Sequence, residues 1–369
     1  MDFLKKLGEV RAYLNSRFVQ REELIDVCLT ALVARQHVLL LGPPGTAKTQ
    51  LISELAACLD GGQHFQWLLT RFTTPEELFG PVSLSALERD SYRRVTAGKL
   101  PEATTALLDE VFKANSAILN TLLSIINERI FYNDGQPVKV PLITLFGASN
   151  EVPEGEEEAA LAAFADRFLF WYQVEYLEED GAFAEMLRLD GSGSRPSVKV
   201  DEIAVASMAA EQVELGDDII DAMVELRRKL RAEGIIVSDR RWKQSLSAVK
   251  AKAFLNGGSR AEVQRDMLVL MHTLWTSPEQ RDIVQRVVRA TVDPYGQEVA
   301  ELMAEAREVW ENAVNSGDTN VGVEAHGKLK NIANRLDELE KLNVDVQAPK
   351  ERIQAYIKDV LTKCLRITL

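Results

Sequence analysis

One eight-residue stretch limits what this chain can become. His37-Val38-Leu39-Leu40-Leu41 is an unbroken apolar run that gives way to Gly42-Pro43-Pro44-Gly45-Thr46-Ala47-Lys48-Thr49. A continuous apolar run bounded by Gly and Pro reads as a strand covered on both faces, as in a parallel sheet. A helix is expected from about Lys48 to Leu59. The stretch fits the phosphate-loop pattern with one departure, Ala47 in place of the glycine before the lysine. In such a loop, backbone N–H groups turn inward around phosphates. Lys48 reaches the outer phosphate oxygens and Thr49 offers its hydroxyl to Mg²⁺ at the positive end of the following helix. Ala47 is expected to tighten the loop and to hold a negative φ.

Downstream segments supply matching chemistry. Thr105-Ala106-Leu107-Leu108-Asp109-Glu110 reads as an apolar strand that delivers two carboxylates at its carboxyl end, where ligands of parallel sheets sit. Asp109 is placed to orient a Mg²⁺-bound water beside Thr49, and Glu110 to polarise an attacking water. Asn150 ends the run Leu145 to Ser149 and projects at the same edge, to hold the water or the γ-phosphate. Arg167, in Asp166-Arg167-Phe168, falls on the flank away from the chain's own phosphate loop. It reads either as a finger for a neighbour's nucleotide or as an ion pair with Asp166. Arg240 opens a helix capped by Ser238 and is a candidate for the γ-phosphate, whereas Arg241 is expected to face solvent.

Strands expected at Phe65 to Leu69, Thr104 to Leu108, Ile143 to Ala148 and Phe168 to Val174 alternate with helices, which makes the first half a doubly wound α/β core. Two insertions interrupt it. One spans 82–100, with Tyr92 to Val95 strand-like. The other spans 129–141, where Asp134-Gly135 predicts a β-hairpin that offers Phe131 and Tyr132 for cross-strand packing or for gripping a partner. Thr74 to Glu77 has the spacing of a capping box, with Pro75 at the first helical position. Gly191 to Pro196 reads as a linker, and everything beyond it reads as helical. The division is then 1–190 for the α/β core, 197–276 for a helical domain ending at Ser277-Pro278, and 277–369 for a helical bundle or hairpin. Leu329, Ile332, Leu336, Leu339 and Leu342 approximate a heptad seam there.

Composition narrows the partners. At 369 residues the chain exceeds one ordinary core, and its 46% hydrophobic and 27% charged residues suit a soluble globular protein. A net charge of -13 disfavours a broad electrostatic fit to duplex nucleic acid or anionic lipid, though not a local basic pore. Cys28, Cys58 and Cys364 fit no metal-ligand spacing, and His37, His64, His272 and His326 form no cluster. No apolar run reaches the length of a membrane span, so a reducing cytoplasmic setting is expected.

Taken together, Gly42 to Thr49, Leu108-Asp109-Glu110, Ala148-Ser149-Asn150, Asp166-Arg167 and Ser238-Asp239-Arg240 resemble the AAA+ ATPases of the MoxR group. Three further segments look like its RavA branch. They are Thr70-Arg71-Phe72 through Phe79-Gly80-Pro81, Ile118 to Arg129, and Val237 to Lys243. The resemblance covers about residues 21–275. It implies a P-loop AAA+ parallel-sheet core, an α-helical lid and, beyond the matched region, a C-terminal all-helical extension. It also implies a ring-shaped, usually hexameric, Mg²⁺-dependent ATPase with sites between subunits. Lys48, Thr49, Asp109, Glu110 and Asn150 would act in cis, Arg167 in trans, and Arg240 from the lid. The 82–100 segment would be the family's helix-2 insert and the 129–141 segment its pre-sensor hairpin, both near the pore. Chaperone-like remodelling with a partner bearing a von Willebrand factor A domain follows from the resemblance. The C-terminal part lacks the β-rich appendage of RavA. The alternative is a nucleic-acid-stimulated AAA+ motor in which the hairpin engages DNA. The acidic balance disfavours it.

Overall fold

The computed structural model describes residues 2–151, 158–189, 193–316, 318–342, 344 and 346–364. It divides into two compact units, 1–288 and 289–369. In the first unit, helices α1 (Asp2–Asn15) and α2 (Glu22–Ala34) precede strand β1 (Val38–Leu41) and helix α3 (Lys48–Ala57). Then follow β2 (Leu59–Asp60), β3 (His64–Leu68), α4 (Pro75–Phe79), α5 (Leu84–Leu87), β4 (Thr105–Asp109) and α6 (Ser116–Glu128). Next come the hairpin β5 (Ile130–Asn133) and β6 (Gln136–Lys139), β7 (Thr144–Ser149), α7 (Glu158–Ala165), β8 (Phe170–Gln173), α8 (Asp180–Arg188) and β9 (Val198–Lys199). The remaining elements of this unit are α9 (Val200–Glu211), α10 (Asp217–Ala232), α11 (Asp239–Leu255), α12 (Val263–Asp266) and α13 (Pro278–Val292), the last running past the unit boundary.

Five strands form one parallel sheet in the order β3-β4-β7-β1-β8. Every residue of β1 and β7 is buried, as expected of strands with neighbours on both sides and helices on both faces. The register is what matters for function. Leu41 lies opposite Ser149, and Leu68 opposite Asp109, so all the carboxyl ends open on one edge. There Gly42 N–H continues the ladder to Ser149 O at 3.1 Å. Gly42 has φ 144, and a Cβ on it would meet Val174 O at 2.1 Å, so no other residue fits this turn.

The two insertions are a single bonded structure. Asp134 and Gly135 both take positive φ, 55 and 69, as a two-residue hairpin turn demands. Asp134 accepts from Ser91 Oγ and the Tyr92 N–H, and Asn133 exchanges two hydrogen bonds with the Arg94 backbone. The strand-like Tyr92 to Val95 segment forms one isolated bridge, Val82 to Arg94. Phe131 is buried and stacked on Phe79 at 5.7 Å, so only Tyr132 of the hairpin aromatic pair is presented to a partner.

The lid is fixed to the sheet by a buried cation. Arg241, expected in solvent, is 2% exposed. Its guanidinium donates to Phe168 O, Leu169 O and Thr273 O at 2.9–3.2 Å and lies 3.5 Å from Asp166. Burial pulls its pKa down to about 10, with Asp166 opposing the shift, so it stays charged near neutrality. Alongside it, Trp171 of β8 meets Trp275 edge-on at 5.5 Å. Arg241→Met is expected to cost about 3–5 kcal/mol, because it removes a buried guanidinium that donates to three carbonyls and pairs with Asp166. Chemical denaturation would show this as a lowered midpoint.

Helix α9 falls within the stretch expected to be helical, though no apolar pattern marks its bounds. Its buried face is Ile203, Ala206, Ser207 and Ala210, too small and mixed to register as an apolar stripe. The Gly191 to Pro196 linker lies partly outside the described residues, and 194–197 has no regular structure. Ser277-Pro278 begins α13, and the unit boundary falls within that helix.

The second unit comprises helices α14 (Gly296–Ser316), α15 (Thr319–Lys341) and α16 (Gln347–Lys363). Leu329, Ile332, Leu336 and Leu339 of α15 are buried with Ala306, Ala313, Ile353 and Val360. Leu342 is 54% exposed, because it follows the last helical residue and the chain has already turned off the seam. Trp310 and Tyr356 stack at 4.8 Å beside this core.

Candidate functional site

The phosphate loop closes on itself through its own lysine. Lys48 is the first residue of α3, and its Nζ donates to Gly42 O at 2.7 Å and Pro43 O at 2.8 Å. Burial holds this ammonium below its ordinary pKa, while the Asp109 and Glu110 carboxylates pull the other way. Ala47 overturns the expectation of a negative φ. It sits at φ 63, ψ 18 as the residue before the helix, a left-handed position that costs an L-residue about 1–2 kcal/mol. The loop needs that geometry to turn its N–H groups inward, whichever residue occupies the position.

Strand β4 brings its carboxylates to the loop. Thr49 Oγ1 donates to Asp109 Oδ2 at 3.1 Å, and Asp109 Oδ1 accepts the Glu110 N–H at 3.0 Å. Glu110 also has positive φ, 53, which swings its side chain off the strand line. Asn150 follows β7, the strand between β1 and β4, and its Nδ2 donates to Glu110 Oε1 at 2.8 Å. Pro44 to Gln50, Asp109, Glu110 and Asn150 line a cleft of about 310 Å³. Thr49 and Asp109 form a pair of hard oxygen donors suited to Mg²⁺. Among the described residues no group of three or more His, Cys, Asp or Glu gathers to hold a metal.

A second opening, of about 450 Å³, adjoins the loop at Gly45, Thr46 and Ala47. Phe18, Val19, Leu177, Phe183 and Met186 give it apolar walls. Tyr176 also lines it and donates its hydroxyl to Pro44 O at 3.0 Å, tying the wall to the loop. These residues escape sequence reasoning because they come from distant segments with no shared motif.

Arg167 and Arg240 are brought together elsewhere. Both line a cleft of about 590 Å³ with Arg35, Asn127 and Arg129, and it shares no lining residue with the phosphate-loop cleft. Arg240 donates to Asn127 Oδ1 at 3.0 Å, and Arg167 lies 3.6 Å from Asp166. Burial lowers the Arg167 pKa, and the neighbouring Arg240 charge lowers it further against the pull of Asp166. One wall is set by Arg129, which donates to Ile126 O, Arg35 O and Ile143 O. His37 beside it accepts the Leu145 N–H at Nδ1. Its pKa is held well below the usual histidine value by burial and by the Arg129 charge. The cleft therefore concentrates cations on an acidic chain.

Comparison with known proteins gives the family and the fold. Residues 5–213 match the family model described as the MoxR domain in the MoxR-vWA-beta-propeller ternary systems, and residues 218–288 match an AAA lid domain. Two uncharacterized proteins of Methanocaldococcus jannaschii are similar over nearly their whole length. One is 40% identical over 92% of this chain and 87% of its own, the other 38% identical over 96% of each. The chaperone MoxR1 of Mycobacterium tuberculosis is 29% identical over 43% of this chain and 41% of its own. A crystal structure of a candidate ATPase from Cytophaga hutchinsonii shares the fold, with a TM-score of 0.63 and 18% identity over 78% of this chain and 94% of that one. Among the described residues no helix is long and apolar enough to cross a membrane. With one family model spanning more than half of its length and a lid model following it, the chain belongs to the MoxR family of AAA+ ATPases.

Proposed function

We propose that the chain hydrolyses ATP to ADP and phosphate in a ring, hexameric in the usual case, at sites completed by two subunits, and uses the cycle to remodel protein complexes. The observation that carries this reading is the separation of the polar machinery into two clefts with no lining residue in common. A subunit holding Lys48 and Glu110 in one cleft and Arg167 and Arg240 in another needs a neighbour to bring them to one phosphate.

In this reading the apolar opening beside Tyr176 takes the base, and the N–H groups of Gly45 to Thr49 with Lys48 take the phosphates. Lys48 must leave the Gly42 and Pro43 carbonyls to do so. Mg²⁺, held through Thr49 and Asp109, would neutralise phosphate charge when bound. Glu110 accepts a proton from the attacking water as its oxygen bonds to the γ-phosphorus and the bond to the β-phosphate oxygen breaks. Asn150 orients the carboxylate, and Arg167 and Arg240 of the neighbouring subunit meet the charge that spreads over the γ-oxygens.

Within the family, the segments Thr70 to Pro81 and Val237 to Lys243 support the RavA branch. The description of the matched family supports a partner with a von Willebrand factor A domain. ATP turnover per subunit is expected to rise with protein concentration as rings assemble and then to level off. Equal turnover from a strict monomer, followed by light scattering, would overturn the shared-site reading.

A further inference from the structure

Glu110 has a second partner that the proposed cycle does not use. Asn150 donates to its Oε1 at 2.8 Å, while Lys113 Nζ lies 3.2 Å from its Oε2. Asn150 lines the phosphate-loop cleft and Lys113 does not, so the two contacts draw the carboxylate in different directions. The backbone fixes where the lysine stands. Glu110 takes left-handed φ and starts a single 3-10 turn, Val111–Lys113, in which Lys113 N–H donates to Glu110 O at 2.9 Å. Val111 is fully buried and anchors the turn from below. Beyond it, Asn115 caps α6 and donates to Thr73 O at 3.0 Å. The ammonium is thus delivered beside the carboxylate with only its own side-chain torsions free.

A base must aim a lone pair at the water beyond the γ-phosphate. An ion pair that draws Oε2 toward a residue outside the cleft competes with that aim. We propose that Lys113 is a positioning residue for the hydrolytic carboxylate, holding Glu110 partly turned out of the cleft so that turnover requires the Lys113 to Glu110 pair to open. This rests on the reading of Glu110 as the base. The Lys113 side chain is 57% exposed, so the pair is weak and screened by salt, and it sets a resting rate without blocking the reaction.

The test is steady-state ATP turnover of the full chain with Mg²⁺, at protein concentrations where assembly is complete, over a range of NaCl. Lys113→Ala is expected to raise kcat about two- to fivefold with KM unchanged, the scale that an exposed pair supports. Lys113→Arg should restore the wild-type rate. Added salt should raise the wild-type kcat and leave that of Lys113→Ala flat. A Lys113→Ala protein with equal or lower kcat, beside an inactive Glu110→Gln protein, overturns the inference alone. Turnover that survives Glu110→Gln overturns the base reading and the inference together.

Discussion

Arg167→Ala is expected to lower ATP turnover by about 10³–10⁵ while ATP affinity changes little, the signature of a cation that meets charge only in the transition state. The geometry explains the split. Arg167 lines none of the cleft that would hold the chain's own nucleotide, so its removal takes nothing from cis binding. It stands instead with Arg240 in a separate cleft, where burial first and the nearby Arg240 charge second lower its pKa. Like charges gathered at a surface gain most from an incoming phosphate, which relieves their repulsion. Nucleotide titration alongside a phosphate-release assay separates the two quantities. A matched loss of affinity and rate would make Arg167 a structural partner of Asp166.

Glu110→Gln is expected to reduce turnover by about 10²–10⁴ and to retain ATP. Glutamine keeps the shape and can still accept from Asn150, but its amide takes no proton from water. Because Thr49, Asp109 and Lys48 are untouched, the nucleotide should stay bound and the rings should hold clients. Single-turnover measurement is the proper check, since it reads the chemical step without product release. Residual turnover near the wild-type level would move the base to another residue.

The parts of the fold set by local pattern are legible in the sequence. The buried β1 run, the glycine-framed loop, the Thr74 to Glu77 capping box and the Asp134-Gly135 hairpin each follow from a short window, and each has that structure. What a window does not contain is the rotation of one element against another. Arg240 and Arg241 are neighbours on one helix, and nothing local says which faces the sheet. The placement of α11 sends Arg241 into the carbonyls of Phe168 and Leu169, just before β8, and leaves Arg240 at the arginine cleft. Phe131 and Tyr132 divide in the same way, because strand alternation assigns them opposite faces and Phe79 decides which face is core. Lys113 was also within reach of sequence reasoning, three residues past a glutamate. The signal was hidden because the turn joining them depends on the positive φ of Glu110.

Mixing two inactive proteins tests the shared site most directly. In rings assembled from equal amounts of Arg167→Ala and Glu110→Gln subunits, some interfaces pair the intact Lys48 and Glu110 of the first with the intact Arg167 of the second. Random assembly should restore about a quarter of wild-type ATP turnover, since in a ring of the proposed kind the interface is head-to-tail and each subunit contributes a different face. Co-assembled rings that bind ATP yet recover no turnover would contradict the account.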